Sequence, residues 1–352
     1  MPGRHCHRAF LAPALAPFLA ALLATAGCAS AEPGWAGPPA PSGSPSGSPS
    51  GAAAADDAGS PFWVDPDTDA ARQVADWEAQ GRNGDAQVLR RISDRPAAVW
   101  AAAGNPGPEV SRAARAAAAA GQTLVVAARN LPHRDCGPRP AGGARDAGAY
   151  RAWITALATA IGRTRALVVL EPGAVAQLAD GCTPPARHEE QLRLLSEAVH
   201  RLKQNPGTRV YLDAGDPVRR PGPEAVADPL LKAGLAHADG FALNTGGFQD
   251  EAAVRAYGAR LSRATGGRHF VVDTGRNGEG ALPGDPAAAS CNPPGRALGT
   301  PPTDRTGDPL VDAYLWVRQP GESDGTCRGG PAAGTWWPDY ALGLARRAKD
   351  TP

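Results

Sequence analysis

One segment carries the clearest structural signal in this chain: Ala313-Tyr-Leu-Trp-Val-Arg318-Gln-Pro-Gly-Glu322-Ser-Asp324-Gly. Its first five residues are aromatic or aliphatic and include neither Gly nor Pro, which predicts a short buried strand. The chain then turns at Pro-Gly, and a cation and two carboxylates follow within seven residues. Charges gathered at the carboxyl end of a strand are typical of the binding edge of a parallel α/β protein. Taken alone, the segment is equally compatible with a solvated loop that contains one salt bridge.

The same arrangement extends through the chain from Phe62 onward, where short apolar runs alternate with helical patterns. The predicted strands are 97–101, 123–128, 166–170, 209–212, 241–243, 269–272 and 313–317. The predicted helices are 67–80, 85–92, 108–120, 148–161, 189–203, 250–264 and 340–349. Strands that alternate with helices predict βα units and a parallel sheet, either open and doubly wound or closed into a barrel. No Gly-rich fingerprint follows a strand, which argues against a dinucleotide-binding domain.

Polar side chains follow most of the predicted strands. In chain order these are Arg134 and Asp135, Glu171, Asp213, Asn244, Asp273 with Arg276, and finally Arg318, Glu322 and Asp324. A cap or a hydrogen-bonded turn explains a single charged strand end. It does not explain charged or polar residues at the ends of most of the strands. Carboxylates that converge on one rim suit proton transfer to a neutral polar substrate, of which glycoside hydrolysis is the type case.

The N-terminal residues 1–28 have the pattern of a targeting segment. Two arginines precede an almost wholly apolar run, and small residues lead to Cys28, as in a bacterial lipobox with Cys28 lipidated. Thr25 stands where Leu is usual, so an ordinary cleaved signal peptide is the alternative. Pro13 and Pro17 make a permanent spanning helix less favourable. We therefore expect a protein that is secreted or anchored to the outer face of the cytoplasmic membrane.

Residues 29–60 are rich in Gly, Pro and Ser and predict a disordered linker, which leaves 61–352 as a single globular domain. The net charge of +1, with no basic stripe, argues against nucleic acid as a partner. Four cysteines lie in the globular part of an exported chain, where disulfides are the default; they are Cys136, Cys182, Cys291 and Cys327. Their spacing suggests no metal, and we expect no cofactor and a monomer.

Seven motifs of the globular part occur in a recognisable order. They are Leu131-Pro-His-Arg-Asp-Cys-Gly, Val168-Val-Leu-Glu-Pro, Tyr211-Leu-Asp-Ala-Gly, Gly240-Phe-Ala-Leu-Asn, Asp273-Thr-Gly-Arg-Asn-Gly, Cys291-Asn-Pro-Pro-Gly-Arg-Ala-Leu-Gly and Pro320-Gly-Glu-Ser-Asp-Gly. Together they resemble glycoside hydrolase family 6, the secreted endoglucanases and cellobiohydrolases that act on β-1,4-glucan. The resemblance runs from about Phe62 to Lys349. It implies a distorted β/α barrel of about seven parallel strands and the disulfides Cys136–Cys182 and Cys291–Cys327.

The resemblance also implies roles for single residues. Family members invert the anomeric centre: a protonated aspartate serves the leaving oxygen while a base activates water on the opposite face. Asp135 resembles the aspartate that keeps the acid's pKa high, Asp324 the proposed base, and Asp213 another aspartate of the site. The positions that resemble sugar contacts are Asp67, Asn244, Arg318 and Glu322.

The general acid of the family has no counterpart here. The family's Glu-Pro-Asp is Glu171-Pro172-Gly173 in this chain, and glycine has no proton to give. Further differences from the family pattern fall in the same region: Arg129 for a tyrosine, Ser290 for a tryptophan, Asp216 for a histidine, Arg219 near a usual tryptophan, and Arg318 for a lysine. Sugars bind with their apolar faces on aromatic rings, so the lost rings weaken the predicted binding surface.

Two hypotheses follow. The first is a β-1,4-glucanase with inverting chemistry and impaired activity, in which Asp216 is the nearest candidate for a substitute acid. The second is a degenerate member that binds a glycan at the cell surface without cutting it. A periplasmic-type solute receptor is a weaker third possibility, because the sequence shows no two-lobed symmetry.

Overall fold

The structure is a computed structural model that describes residues 60–134, 142–217, 222–284 and 289–349. The predicted targeting segment with Cys28, the linker as far as residue 59, and the site residues Asp135, Cys136 and Arg219 lie outside the described residues. Within the described ranges, no helix combines the length and apolar character that a membrane crossing requires. The described residues belong to one compact unit.

Seven parallel strands form one sheet whose spatial order follows the chain from β1 to β7. They are β1 Val99–Trp100, β2 Leu124–Ala128, β3 Ala166–Leu170, β4 Thr208–Asp213, β5 Gly240–Leu243, β6 His269–Asp273 and β7 Val311–Leu315. A doubly wound sheet would reverse direction at a switch point, and this sheet never does. The sheet curls until its first and last edges meet: the amide of Ala98, next to β1, donates to the carbonyl of Trp316, next to β7, at 2.9 Å. The predicted distorted barrel is confirmed.

The helices cover the outside of the sheet. They are α1 Asp69–Ala79, α2 Asn83–Ser93, α3 Gly107–Ala119, α4 Ala147–Ile161, α5 Ala174–Ala179, α6 Pro185–Lys203, α7 Pro223–Lys232, α8 Glu251–Ala264 and α9 Pro338–Arg347. The sequence patterns missed α5, which has only six residues, and α7, which contains Pro229. The last strand was predicted two residues too late: Trp316 and Val317 are buried, but they follow β7 and lie outside its ladder.

Strand side chains alternate between the barrel interior and the helical layer, as the pleat requires. In β3, for example, Leu167 and Val169 face inward, whereas Val168 packs outward with the helices. Both sets are fully buried, so the strand reads as a continuous apolar run rather than an alternating one. A third apolar cluster joins α1, α2 and α9.

We predict that Gly258→Ala destabilises the fold by about 1–3 kcal/mol through overpacking. A Cβ at this position in α8 would lie 2.4 Å from Cζ of Phe270. That ring cannot move aside easily, because it is buried and stacks on Phe241 with centroids 5.2 Å apart. Urea unfolding gives the free energy of unfolding.

The matched control is Gly84→Ala, since Gly84 also lies in a helix but a Cβ there has no neighbour within 4 Å. This change should leave stability unchanged or raise it by up to about 1 kcal/mol. Equal effects of the two substitutions would show that the Phe270 contact does not limit packing.

Candidate active site

A cleft of ≈ 500 Å³ opens at the carboxyl ends of the strands. Its lining consists of Trp100, Arg129, Pro172, Gly173, Gln177, Asp213, Gly215, Asp216, Thr245, Gly246, Arg276, Arg318 and Asp324. The structure thus brings the strand-end residues Asp213, Arg318 and Asp324 to one place. A groove of ≈ 630 Å³ between α3 and α4 is lined mostly by Ala and Thr, whereas the cleft gathers carboxylates and guanidinium groups.

Asp213 ties two turns of the cleft floor together. It ends β4 and is buried, and its Oδ1 accepts hydrogen bonds from the amides of Gly173 at 2.9 Å and Gly215 at 3.1 Å. The position of the Gly173 backbone is therefore set by a carboxylate on the neighbouring strand.

Gly173 itself adopts a left-handed conformation, with φ 87° and ψ −16°. A Cβ built here would have only Nε2 of Gln177 within 4 Å, at 3.6 Å. The turn at the predicted general-acid position is thus formed, and a side chain would have room in the cleft. The chain supplies no proton donor from this residue.

Asp324 is held by a buried arginine. Both of its carboxylate oxygens lie 3.0 Å from Nη1 of Arg276. The Arg276 side chain is only 2% exposed, and its guanidinium lies 4.2 Å from the ring centroid of Phe248. Its Nη2 also donates to the Gly246 carbonyl. The candidate base therefore sits beside a fixed positive charge, in a single orientation.

Asn292 fixes the same carboxylate from the other side. The backbone amide of Asn292 donates to Oδ2 of Asp324 at 3.0 Å, and the side-chain Oδ1 of Asn292 accepts from the backbone amide of Asp324 at 2.7 Å. The adjacent disulfide Cys291–Cys327, with a Cα–Cα distance of 6.3 Å, holds the two loops together. This disulfide was predicted and is confirmed. Cys182 is also disulfide-bonded, but Cys136 lies outside the described residues, so that pairing stays a prediction.

Arg318 and Glu322 form a partly buried ion pair at the edge of the cleft. Nε of Arg318 lies 3.3 Å from Oε2 of Glu322, and its Nη2 donates to the Ser323 carbonyl at 2.6 Å. Burial raises the pKa of Glu322, while the positive charges of Arg318 and Arg276 oppose that rise. Only Arg318 of this pair lines the cleft.

Like Glu322, two other predicted sugar-contacting residues do not line the cleft. Asn244 is fully buried, its Nδ2 donates to the Asp273 carbonyl at 2.8 Å, and its Oδ1 accepts from the Gln249 amide at 3.2 Å. The Asp67 side chain is 74% exposed and lies 3.7 Å from Arg72 in an ion pair. The predicted contacts of both residues with sugar remain predictions.

Other residues that line the cleft were not predicted from the sequence. Trp100 ends β1 and donates from Nε1 to the Val317 carbonyl at 2.9 Å, which presents an aromatic ring to the cleft. Gln177 lies on the missed helix α5. Thr245 has a buried Oγ1 without a hydrogen-bond partner within the described residues. An aromatic residue at the end of the first strand was the one available signal.

Glu171 is a buried carboxyl group just below the cleft. Its φ is 52°, and its Oε1 accepts from the Asn130 amide at 2.8 Å. Desolvation raises the pKa of Glu171 from 4.5 to about 7, although the Asn130 amide favours the charged form. Glu171 does not line the cleft. We therefore treat it as a buried titratable group that supports the backbone and not as a residue that contacts a ligand.

Comparison with known proteins gives a consistent result. A family model described as "Glycosyl hydrolases family 6" matches residues 57–348. Endoglucanase A of Cellulomonas fimi is 39% identical over 294 residues, which covers 82% of this chain and 62% of that protein. Endoglucanase 1 of Streptomyces halstedii is 36% identical over 291 residues, which covers 80% of this chain and 87% of that protein. The chain thus spans under two thirds of the first relative's length.

A solved structure also aligns with this fold. The endoglucanase Cel6 of Mycobacterium tuberculosis, in complex with methyl-cellobiosyl-4-deoxy-4-thio-β-D-cellobioside, superposes with a TM-score of 0.75 at 40% identity. The superposition covers 82% of this chain and 97% of that one. Both sequence and backbone therefore agree over the described domain.

We predict that Glu171→Gln removes a pH dependence of stability. Because the folded pKa is raised, the unfolded chain loses its proton first, and the wild-type protein loses stability as pH rises from about 4.5 to about 7. The variant should gain up to about 3 kcal/mol relative to wild type across that window. Urea unfolding at pH 4.5 and pH 8 measures the difference.

Glu197→Gln is the control for this experiment. The pKa of Glu197 is lowered, first by its hydrogen bond with Arg151, so its effect should have the opposite sign. The effect should also be small, because the side chain is 39% exposed. Parallel stability curves for Glu171→Gln and wild type would contradict the proposed protonation of Glu171.

Proposed function

The chain belongs to glycosyl hydrolases family 6, and from this premise we propose that its cleft binds β-1,4-glucan and hydrolyses it slowly at most. The proposal is supported by the two bacterial relatives named above, which are endoglucanases. It is also supported by the Mycobacterium tuberculosis endoglucanase, whose bound ligand is methyl-cellobiosyl-4-deoxy-4-thio-β-D-cellobioside. It is also supported by the lining of the cleft, which combines the Trp100 ring with carboxylates and guanidinium groups. Export, a lipid anchor at Cys28 and a monomeric state are further parts of the proposal.

One observation carries the statement about activity: the backbone at position 173 is in place beside Asp213, but it carries no acid. In an inverting mechanism the leaving oxygen needs a proton while a base takes one from the attacking water. Asp324, oriented by Arg276 and Asn292, is the base in this proposal. General acid catalysis supplies ~10²–10⁴-fold. Loss of the acid therefore slows cleavage of an unactivated bond without removing the binding site.

A second candidate function is glycan binding without cleavage. The observation that favours it is the replacement of a tyrosine by Arg129, whose Nε donates to the Pro172 carbonyl at 3.1 Å. This bond directs a guanidinium, in place of an aromatic ring, against the turn that carries Gly173. Conversely, Asp216 lines the same cleft as Gly173 and is the candidate for a substitute acid.

We predict that Gly173→Asp raises the rate on cellopentaose by about 100-fold or more, because it restores a proton donor at the cleft. The left-handed backbone costs an aspartate about 1–2 kcal/mol, and Asp is among the few residues that tolerate it. Gly173→Asn is the matched control, since it has the same shape and the same backbone cost but no acidic proton. Product analysis by NMR gives both the rate and the anomeric configuration.

Several outcomes of that experiment are informative. Equal rates for the Asp and Asn variants would show that the acid alone is insufficient, and Arg129→Tyr with Ser290→Trp would then be added. Robust hydrolysis by the unmodified protein that Asp216→Asn abolishes would contradict the impaired-enzyme proposal. A dinitrophenyl cellobioside, whose leaving group needs little protonation, tests whether the rest of the site functions. Calorimetry with cello-oligosaccharides measures binding independently of turnover.

A further inference from the structure

Two histidines that are far apart in sequence lie in contact on the outer surface of the barrel. The imidazole rings of His200 and His237 have centroids 4.3 Å apart and planes inclined by 44°. His200 lies in the last turn of α6, and His237 follows α7. Both residues are exposed, on the helical side of the sheet and outside the cleft lining. The proposed glucan function does not use them.

The contact is fixed by the backbone beneath it. Gly234 has φ 93°, and a Cβ there would lie 3.0 Å from Cα of Ser196 on α6, so the turn after α7 is pressed directly against that helix. His200 lies one helical turn after Ser196, and the His237 amide donates to the Gly234 carbonyl at 2.9 Å. Both imidazoles therefore lie where the turn after α7 packs against α6.

The ring nitrogens of this pair are available. Within the described residues, neither ring makes a hydrogen bond or an ion pair. The other histidines of the outer surface differ: His188 has its Nε2 2.8 Å from the Thr183 carbonyl, and His269 has its Nδ1 2.8 Å from Asp312. A pair of adjacent imidazoles without partners is the donor set that first-row transition metals prefer.

We propose that His200 and His237 bind one divalent transition-metal ion, Cu²⁺ most tightly and Zn²⁺ less tightly. No third His, Cys, Asp or Glu joins a metal-binding group within the described residues, so water completes the coordination sphere. Near the pair, Lys203 and Asp239 form an ion pair of 2.7 Å, so neither charge is left without a partner. A bound ion would crosslink α6 to the turn before β5.

The test is calorimetric titration of the full chain with Cu²⁺ and with Zn²⁺ in a non-coordinating buffer. We expect a site whose affinity falls roughly 100-fold in His200→Ala and equally in His237→Ala, because each change removes one of two linked ligands. The His188→Ala variant, altered on the same helix, is the matched control and should bind as wild type does. Electron paramagnetic resonance of the Cu²⁺ complex should show two nitrogen ligands.

Other results would overturn the proposal. These are unchanged binding in both single variants, equal weakening in His188→Ala, or a Cu²⁺ spectrum without two nitrogens that depend on His200 and His237. Histidines 5 and 7 of the targeting segment also bind copper in principle, so the difference between wild type and the double variant His200→Ala/His237→Ala defines the site. Circular dichroism checks that the exposed substitutions leave the fold intact. Cello-oligosaccharide binding should not change in any variant, which separates this proposal from that of the cleft.

Discussion

The turns at the carboxyl edge of this barrel are held by buried carboxylates that accept hydrogen bonds from backbone amides. Asp273 ends β6, and its two oxygens accept from the amides of Gly246, Arg318 and Gly275 at 2.8–3.0 Å. One side chain thus joins the turns that follow β5, β6 and β7. Desolvation raises the pKa of Asp273, and the three amide donors oppose that rise. Without these donors a buried charge would be too costly to retain, and without the charge the three turns would lose their common anchor.

Asp213 has the same anchoring role for the turns that follow β3 and β4. It also lines the cleft, as do Asp216 and Asp324, whereas Asp273 does not. The shape of the cleft therefore depends on backbone amides held by carboxylates and not on the side chain at position 173. The amide of residue 173 satisfies Asp213 whatever side chain the residue carries.

The sequence predicted the fold well because its signals are local. Seven apolar runs between helical patterns define parallel βα units, and the continuous burial of β2 and β3 on both faces made those strands easy to recognise. Where a local signal was weak, prediction failed: α5 is short, α7 contains a proline, and β7 is flanked by Trp316 and Val317, which are buried outside the ladder. An apolar run in the sequence indicates which residues are buried, and buried residues continue past the hydrogen-bonded end of a strand, as Trp316 and Val317 do after β7.

The site was harder to predict because residue type does not reveal where a side chain points. Asn244 and Asp324 both follow strands. The side-chain amide of Asn244 donates to the Asp273 carbonyl, whereas Asp324 lines the cleft. Arg276 was visible in the sequence, but the contact of its Nη1 with both carboxylate oxygens of Asp324 joins residues 48 positions apart. The approach of His200 to His237 is likewise a product of tertiary packing, at Gly234 and Ser196. Only the fold brings such pairs together.

The glycine at position 173 has a physical consequence for the stability of the fold. A general acid must be kept protonated, and this usually requires a second carboxyl group or burial, both of which cost stability. A glycine at φ 87° avoids that cost and relieves the left-handed backbone as well. The glycine is therefore favourable for the folded state, while Asp213, Arg276 and Asn292 make structural contacts that do not involve a side chain at position 173. The hydrogen bonds that hold the cleft floor thus form between Asp213 and backbone amides, and they require no side chain at position 173.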